Sequence, residues 1–82
     1  MNTAMVMRDR LLEILQKLKF EPQDITDGTN LRQDLGIDST EFAEIAVAIE
    51  RELHLVINDE ELQLAKTFGD LVLYVASAPT VA

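Results

Sequence analysis

Cysteine is absent from this 82-residue chain, which excludes disulfides, thiolate metal sites and cysteine nucleophiles. Glycine and proline are scarce, at three and two residues, so little interrupts helical periodicity, and no internal repeat or low-complexity run is visible. No segment approaches the roughly 20 apolar residues that a membrane span requires. The weakly apolar start, Met1 to Met7, is broken at once by Arg8, Asp9 and Arg10, which leaves no signal-peptide core. Cations are few: 7 Lys and Arg stand against 15 Asp and Glu, a net charge of −8. That balance argues against nucleic acid, whose affinity comes largely from cations displacing phosphate counterions, and favours partners with basic patches. The expectation is a cytoplasmic monomer that binds neither nucleic acid nor membrane.

What the chain does have is apolar residues, 48% of the total, at helical spacing. Eighty-two residues suffice for one domain with one small core, residues about 4–76, followed by a C-terminal tail at 77–82. Met7, Leu11, Ile14, Leu15 and Leu18 form one stripe at three- and four-residue steps, which predicts a helix over about 4–19 that Pro22 stops. The stretch from Glu21 to Gly36 reads as a long loop. Its Ile25, Leu31, Leu35 and Ile37 are spaced irregularly, as anchors pinning an ordered loop to the core.

Three later segments open with one capping logic. Asp38 with Glu41, Asn58 with Glu61 and Thr67 with Asp70 each place a cap residue three positions before an acid. They predict a second helix from Asp38 to about Leu53, a short third containing Leu62, and a fourth whose Phe68, Leu71, Val72 and Val75 share a face. The fold class is all-α: a four-helix bundle with three longer helices, one short helix and a long loop after the first.

The second helix carries the informative surface. Phe42, Ile45, Ala46, Ile49 and Leu53 cluster on its core side, while Thr40, Ala43, Glu44, Val47 and Arg51 lie opposite. Val47 should therefore stand exposed within an acidic rim, either as a docking patch or as part of a solvated face. Between Asp38 and Glu61 there are eight acids and one base, −7 of the total −8, whereas residues 1–20 carry +2. Acidity is thus polarised onto the second and third helices, a field that steers cationic partners and weakens with salt. Ser39 follows the cap, where outward backbone N–H groups and the helix dipole favour an attached phosphate. On position alone the plainer reading prevails, a small polar residue at a helix start, where serine is common.

The segment Asp34-Leu35-Gly36-Ile37-Asp38-Ser39 resembles the Asp-Leu-Gly-x-Asp-Ser signature of acyl carrier proteins. The long loop before it, the acidic helix after it, the Asn58-Asp59-Glu60-Glu61-Leu62 short helix and the Thr67-Phe68-Gly69-Asp70-Leu71 start follow the family's order over roughly residues 6–76. The resemblance implies a discrete, non-catalytic carrier domain of the acyl-carrier-protein-like bundle type. It implies that Ser39 receives 4′-phosphopantetheine from coenzyme A through a carrier-protein phosphopantetheinyl transferase that contacts Asp38. Acyl intermediates would then ride as thioesters to fatty-acid, polyketide or other specialised biosynthetic enzymes.

Carried over by position, Asp38, Glu41 and Glu44 match the acidic positions that basic docking patches on acyl-loading and acyl-processing enzymes recognise. Glu50 is a weaker addition, and Val47 matches the exposed apolar contact, flanked by Thr40 and Ala43. Two positions depart from the family pattern. Thr40 replaces the usual leucine after the serine, which removes an apolar contact and tilts the reading towards a specialised pathway. Asn58 replaces a common proline and still caps well.

Other readings compete. A calcium loop with Gly28 at its sixth position places Gln23 first and Ile25 third, where neither can serve as a normal ligand, so no metal is expected. His54, the sole histidine, has no partner at catalytic or metal-binding spacing and fits the end of the second helix. A peptidyl or aminoacyl carrier of a nonribosomal pathway, or an unmodified acidic adaptor, would share the same bundle.

Overall fold

The computed structural model describes residues 3–20 and 25–80. It contains four helices, α1 (Thr3–Lys17), α2 (Ser39–Leu53), α3 (Asp59–Leu62) and α4 (Phe68–Ala76), and no strand among the described residues. Helix α1 packs against α4 and α2, and α3 packs against α2. The expected stripes converge on one core: Leu11, Ile14 and Leu15 from α1, Phe42, Ile45, Ala46 and Ile49 from α2, Leu62 from α3, and Phe68, Leu71, Val72 and Val75 from α4. Met7, Leu18 and Leu53 are half-buried at its edge.

Helix ends are set by conformations that the sequence pattern did not indicate. Pro22, expected to stop α1, lies outside the described residues, and α1 has already ended before it. Lys19 takes a left-handed conformation at φ 73°. The Phe20 N–H donates to the Leu15 carbonyl at 2.9 Å and the Lys19 N–H to Gln16 at 3.0 Å, which is a Schellman closure without glycine. His54 also ends α2 left-handed, at φ 55°, but with a single bond from its N–H to the Glu50 carbonyl, the simpler αL closure. It is exposed, at the helix end where its spacing placed it.

The described part of the loop, residues 25–38, is ordered by the anchors expected of it. Leu31 and Ile37 are buried, and Ile25 and Leu35 are half-buried. Backbone bonds tie it to the start of α4: Leu31 N–H to Lys66 O, Phe68 N–H to Thr29 O and Gly69 N–H to Asp27 O, all at 2.9 Å. A β-carbon on Gly69 would meet the Asp27 carbonyl oxygen at 3.0 Å, so glycine permits this close approach. Arg8 also grips Asp27 through two nitrogens, at 3.0 and 2.8 Å. That pair is exposed and stabilises by at most about 1 kcal/mol. Burying Leu31 is worth roughly 2 kcal/mol, so the apolar anchor dominates.

The three caps differ in how they close. The reciprocal capping box forms at Asp38–Glu41 and at Thr67–Asp70. At α3 only half of it forms: the Asn58 side chain accepts from Glu61 N–H at 3.1 Å, but the Asn58 N–H donates to the Tyr74 hydroxyl at 3.2 Å. Tyr74, reaching from α4, does there what the Glu61 carboxylate was expected to do. After α4 the chain turns back, with Val56 N–H on Pro79 O at 2.8 Å and an isolated Leu55–Thr80 bridge. No helix of the described residues is long and apolar enough to cross a membrane.

Candidate functional site

The hexapeptide from Asp34 to Ser39 works as a folding device that delivers a free hydroxyl. Asn30 accepts the N–H groups of Arg32 and Gln33 at 3.0 and 2.8 Å, while the Asp34 carboxylate accepts the Asn30 N–H at 2.8 Å. The pair rolls residues 31–34 into a turn that aims Leu31 at the core. Ile37, bonded back to the Leu31 carbonyl at 3.1 Å, plugs the loop's end.

Gly36 takes φ 68° between them, and a β-carbon there would meet nothing within 4 Å. The cost of a larger residue is therefore conformational rather than steric. Gly36→Ala is expected to lower stability by roughly 1–2 kcal/mol, the cost of holding an L-residue left-handed. Denaturant unfolding of the two proteins measures it, and equal midpoints would contradict this account of Gly36.

Asp38 then caps α2 in extended conformation. Its Oδ1 accepts the Glu41 N–H at 2.9 Å, and a Glu41 carboxylate oxygen accepts the Asp38 N–H at 3.2 Å. With the cap complete, the next residue has no structural duty. Ser39 is the first residue of α2, exposed, and its hydroxyl has no hydrogen-bond partner among the described residues. The positive end of a fifteen-residue helix lies beneath it. An exposed, unbonded hydroxyl at that position fits a covalently attached phosphodiester. His54 lies fifteen residues along α2, about 22 Å at 1.5 Å per residue, so it cannot act as a base for Ser39.

The surface around Ser39 follows the expected helical phase. Thr40, Glu44, Val47, Glu50 and Arg51 are exposed, Glu41 and Ala43 are half-buried, and Phe42, Ile45, Ala46 and Ile49 are buried. Val47 is 50% exposed, whereas Ile49 is fully buried. Val47 also stands on the rim of a groove between α1 and α2, with Ile14, Leu18 and Ala48 as its apolar lining. A Lys17–Glu52 ion pair joins the two helices there.

Elsewhere the acids are committed or scattered. Asp27 holds Arg8, Asp34 holds Asn30, and no group of three potential metal ligands is gathered among the described residues. Gln23, first in the calcium-loop alignment, lies outside them.

Three roles escaped the sequence reading: Asn30 as the turn's cap, Tyr74 as the clasp of α3, and Arg32. The Arg32 guanidinium lies 4.9 Å from the centroid of the Phe42 ring and donates to the Gln63 carbonyl at 3.1 Å. The Asn30-to-Asp34 spacing was a readable signal for the first. The other two are contacts across ten or more residues with no local signature.

A small helical bundle that presents one uncommitted serine at a helix start, among acids, has the architecture of a carrier domain. The family described as "Phosphopantetheine attachment site" matches residues 9–75. The acyl carrier protein of Clostridium perfringens is 40% identical over 70 residues, 84% of this chain and 92% of that protein. That of Phytoplasma australiense is 37% identical over 62 residues, 76% and 82% of the two chains. That of Exiguobacterium sibiricum is 32% identical over 75 residues, 92% and 95%. The chain belongs to the acyl carrier protein family. Members of that family are carriers rather than catalysts, and their covalent 4′-phosphopantetheine supplies the thiol on which acyl groups are held.

Proposed function

We propose that Ser39 is the attachment site of 4′-phosphopantetheine and that the protein presents thioester-bound acyl intermediates to fatty-acid, polyketide or other specialised biosynthetic enzymes. The observation that carries this is the Ser39 hydroxyl, exposed and unbonded because Asp38 and Glu41 complete the cap without it. The chain then acts as one carrier domain, a monomer in the cytoplasm. A phosphopantetheinyl transferase would engage Asp38 while loading Ser39. The docking surface is Thr40, Glu41, Ala43, Glu44, Val47 and Glu50, and Thr40 in place of leucine favours a specialised pathway. The test is intact and tryptic mass after incubation with coenzyme A and a carrier-protein transferase. An adduct on Ser39 supports the reading, while an unmodified protein leaves only an acidic adaptor.

Docking should be electrostatic and local to α2. Reversing Glu41 and Glu44 to Lys changes the net charge by as much as reversing Asp9 and Glu13 on α1. Because Glu41 also closes the α2 cap, a thermal melt of each variant first establishes that both bundles are folded. The α2 pair is expected to lower the rate with a basic partner enzyme by about tenfold or more at low salt, and the α1 pair far less. The wild-type rate should fall across a salt series. Equal losses from the two pairs would refute the directional claim.

A further inference from the structure

A phosphodiester on Ser39 adds negative charge where Asp38, Glu41 and Glu44 already crowd the first turns of α2. The helix N-terminus supplies only partial positive charge against it. A full cation within reach would relieve the repulsion, and the loop leading into α2 carries a candidate, Arg32. Phe42 follows Ser39 by three residues and so sits about one turn from it on α2, with its ring turned into the core. Arg32 from the preceding loop lies over that ring at 4.9 Å, with one nitrogen fixed by the Gln63 carbonyl. Its side chain is exposed, and among the described residues it is paired with no carboxylate. Most other cations are engaged or distant. Arg8 holds Asp27 and Lys17 holds Glu52. Arg51 lies twelve residues along α2, about 18 Å away. Lys66 is close in the backbone, since its carbonyl receives the Leu31 N–H, but no contact seats its ammonium.

We propose that Arg32 is a positioning residue for the prosthetic arm. Seated on Phe42 and Gln63, its guanidinium ion-pairs the phosphodiester on Ser39 and draws the base of the arm towards the side of α2 that faces α3. A guanidinium suits this role because stacking and one hydrogen bond leave further N–H donors for phosphate oxygens. The inference rests on Ser39 being the attachment site.

The test is NMR on the holo-protein, with mass spectrometry first reporting whether Ser39 bears the arm. Attachment is expected to shift the Arg32 Nε–H resonance, and added salt to reverse that shift. The phosphorus resonance of the arm should respond to salt in the wild type and in Arg32→Lys. Arg32→Gln should lose most of that response, while Lys66→Gln, which removes an equal charge from an unseated side chain, should keep it. An unmodified Ser39 overturns both readings. A loaded Ser39 with an unmoved Arg32 resonance, or equal effects of Arg32→Gln and Lys66→Gln, overturns the Arg32 assignment alone. The wild-type resonance decides the matter even where a variant folds poorly.

Discussion

Replacing Ser39 with alanine is expected to abolish attachment of phosphopantetheine while leaving the bundle's stability within about 0.5 kcal/mol of wild type. The loading reaction needs a hydroxyl oxygen to attack the pyrophosphate of coenzyme A. In the proposed reaction a Ser39 oxygen–phosphorus bond would form as the bridging pyrophosphate P–O bond breaks, adenosine 3′,5′-bisphosphate would leave, and the hydroxyl proton would pass to a base of the transferase. Without the oxygen there is no reaction. Stability should survive because the cap bond belongs to Asp38, the Ser39 hydroxyl bonds to nothing described, and the residue is exposed. Alanine is also the better helix former.

Tryptic mass mapping after incubation with coenzyme A and a transferase reads the first claim, and thermal unfolding the second. Thr40 provides an internal control, being the adjacent exposed hydroxyl. An arm on Thr40 of the wild type, or any adduct on the Ser39→Ala protein, would sink the assignment. A variant that fails to fold would show instead that Ser39 is part of the cap.

The expectation for Ser39 came from the resemblance of Asp34–Ser39 to the family signature, whereas the helix start that presents it was legible from spacing, because a capping box is a local pattern and α2 obeys it. The phase of α2 was legible for the same reason: apolar residues recur at helical steps, and all but Leu53 of the assigned core face are buried. The loop's anchors could be read because four aliphatic side chains are costly to leave in water. Other features depended on the folded chain. The left-handed Lys19 and His54 end helices without the glycine that normally announces such a turn, so no residue type marked them. The Tyr74 hydroxyl displaced Glu61 at the α3 cap because folding brings it within reach from sixteen residues away. Arg32 looked like one more surface cation until the ring beneath it was placed. In each case periodicity described a single element, and the missing information was which other element would arrive beside it.

Two aspartates placed two residues apart on α2 should separate the docking surface from the core. Ile49 is fully buried, so Ile49→Asp forfeits its packing and forces a charge into the apolar interior. A buried Ile truncation alone costs about 2–5 kcal/mol, and the charge adds to it. For a domain of this size, whose total stability is on the order of 5–15 kcal/mol, that is a loss of roughly 15–30 °C in melting temperature or outright unfolding.

Val47→Asp should behave differently. The side chain is already half in water, and its new carboxylate meets Glu44 and Glu50 one turn either side but Arg51 as well. Two repulsions against one attraction, each a few tenths of a kcal/mol, leave a small net cost, so stability should fall by at most about 1 kcal/mol. Function should not survive as well. A folded Val47→Asp protein is expected to be loaded and processed poorly, because the apolar spot within the acidic rim has become another acid. Thr40→Leu on the wild type should have the opposite effect, enlarging that spot and broadening acceptance by generic transferases. Circular dichroism melts and single-turnover transfer assays on the three variants supply both readouts. If Val47→Asp is stable and transfers normally, this face of α2 is merely solvated, and the partner surface must be sought elsewhere on the bundle.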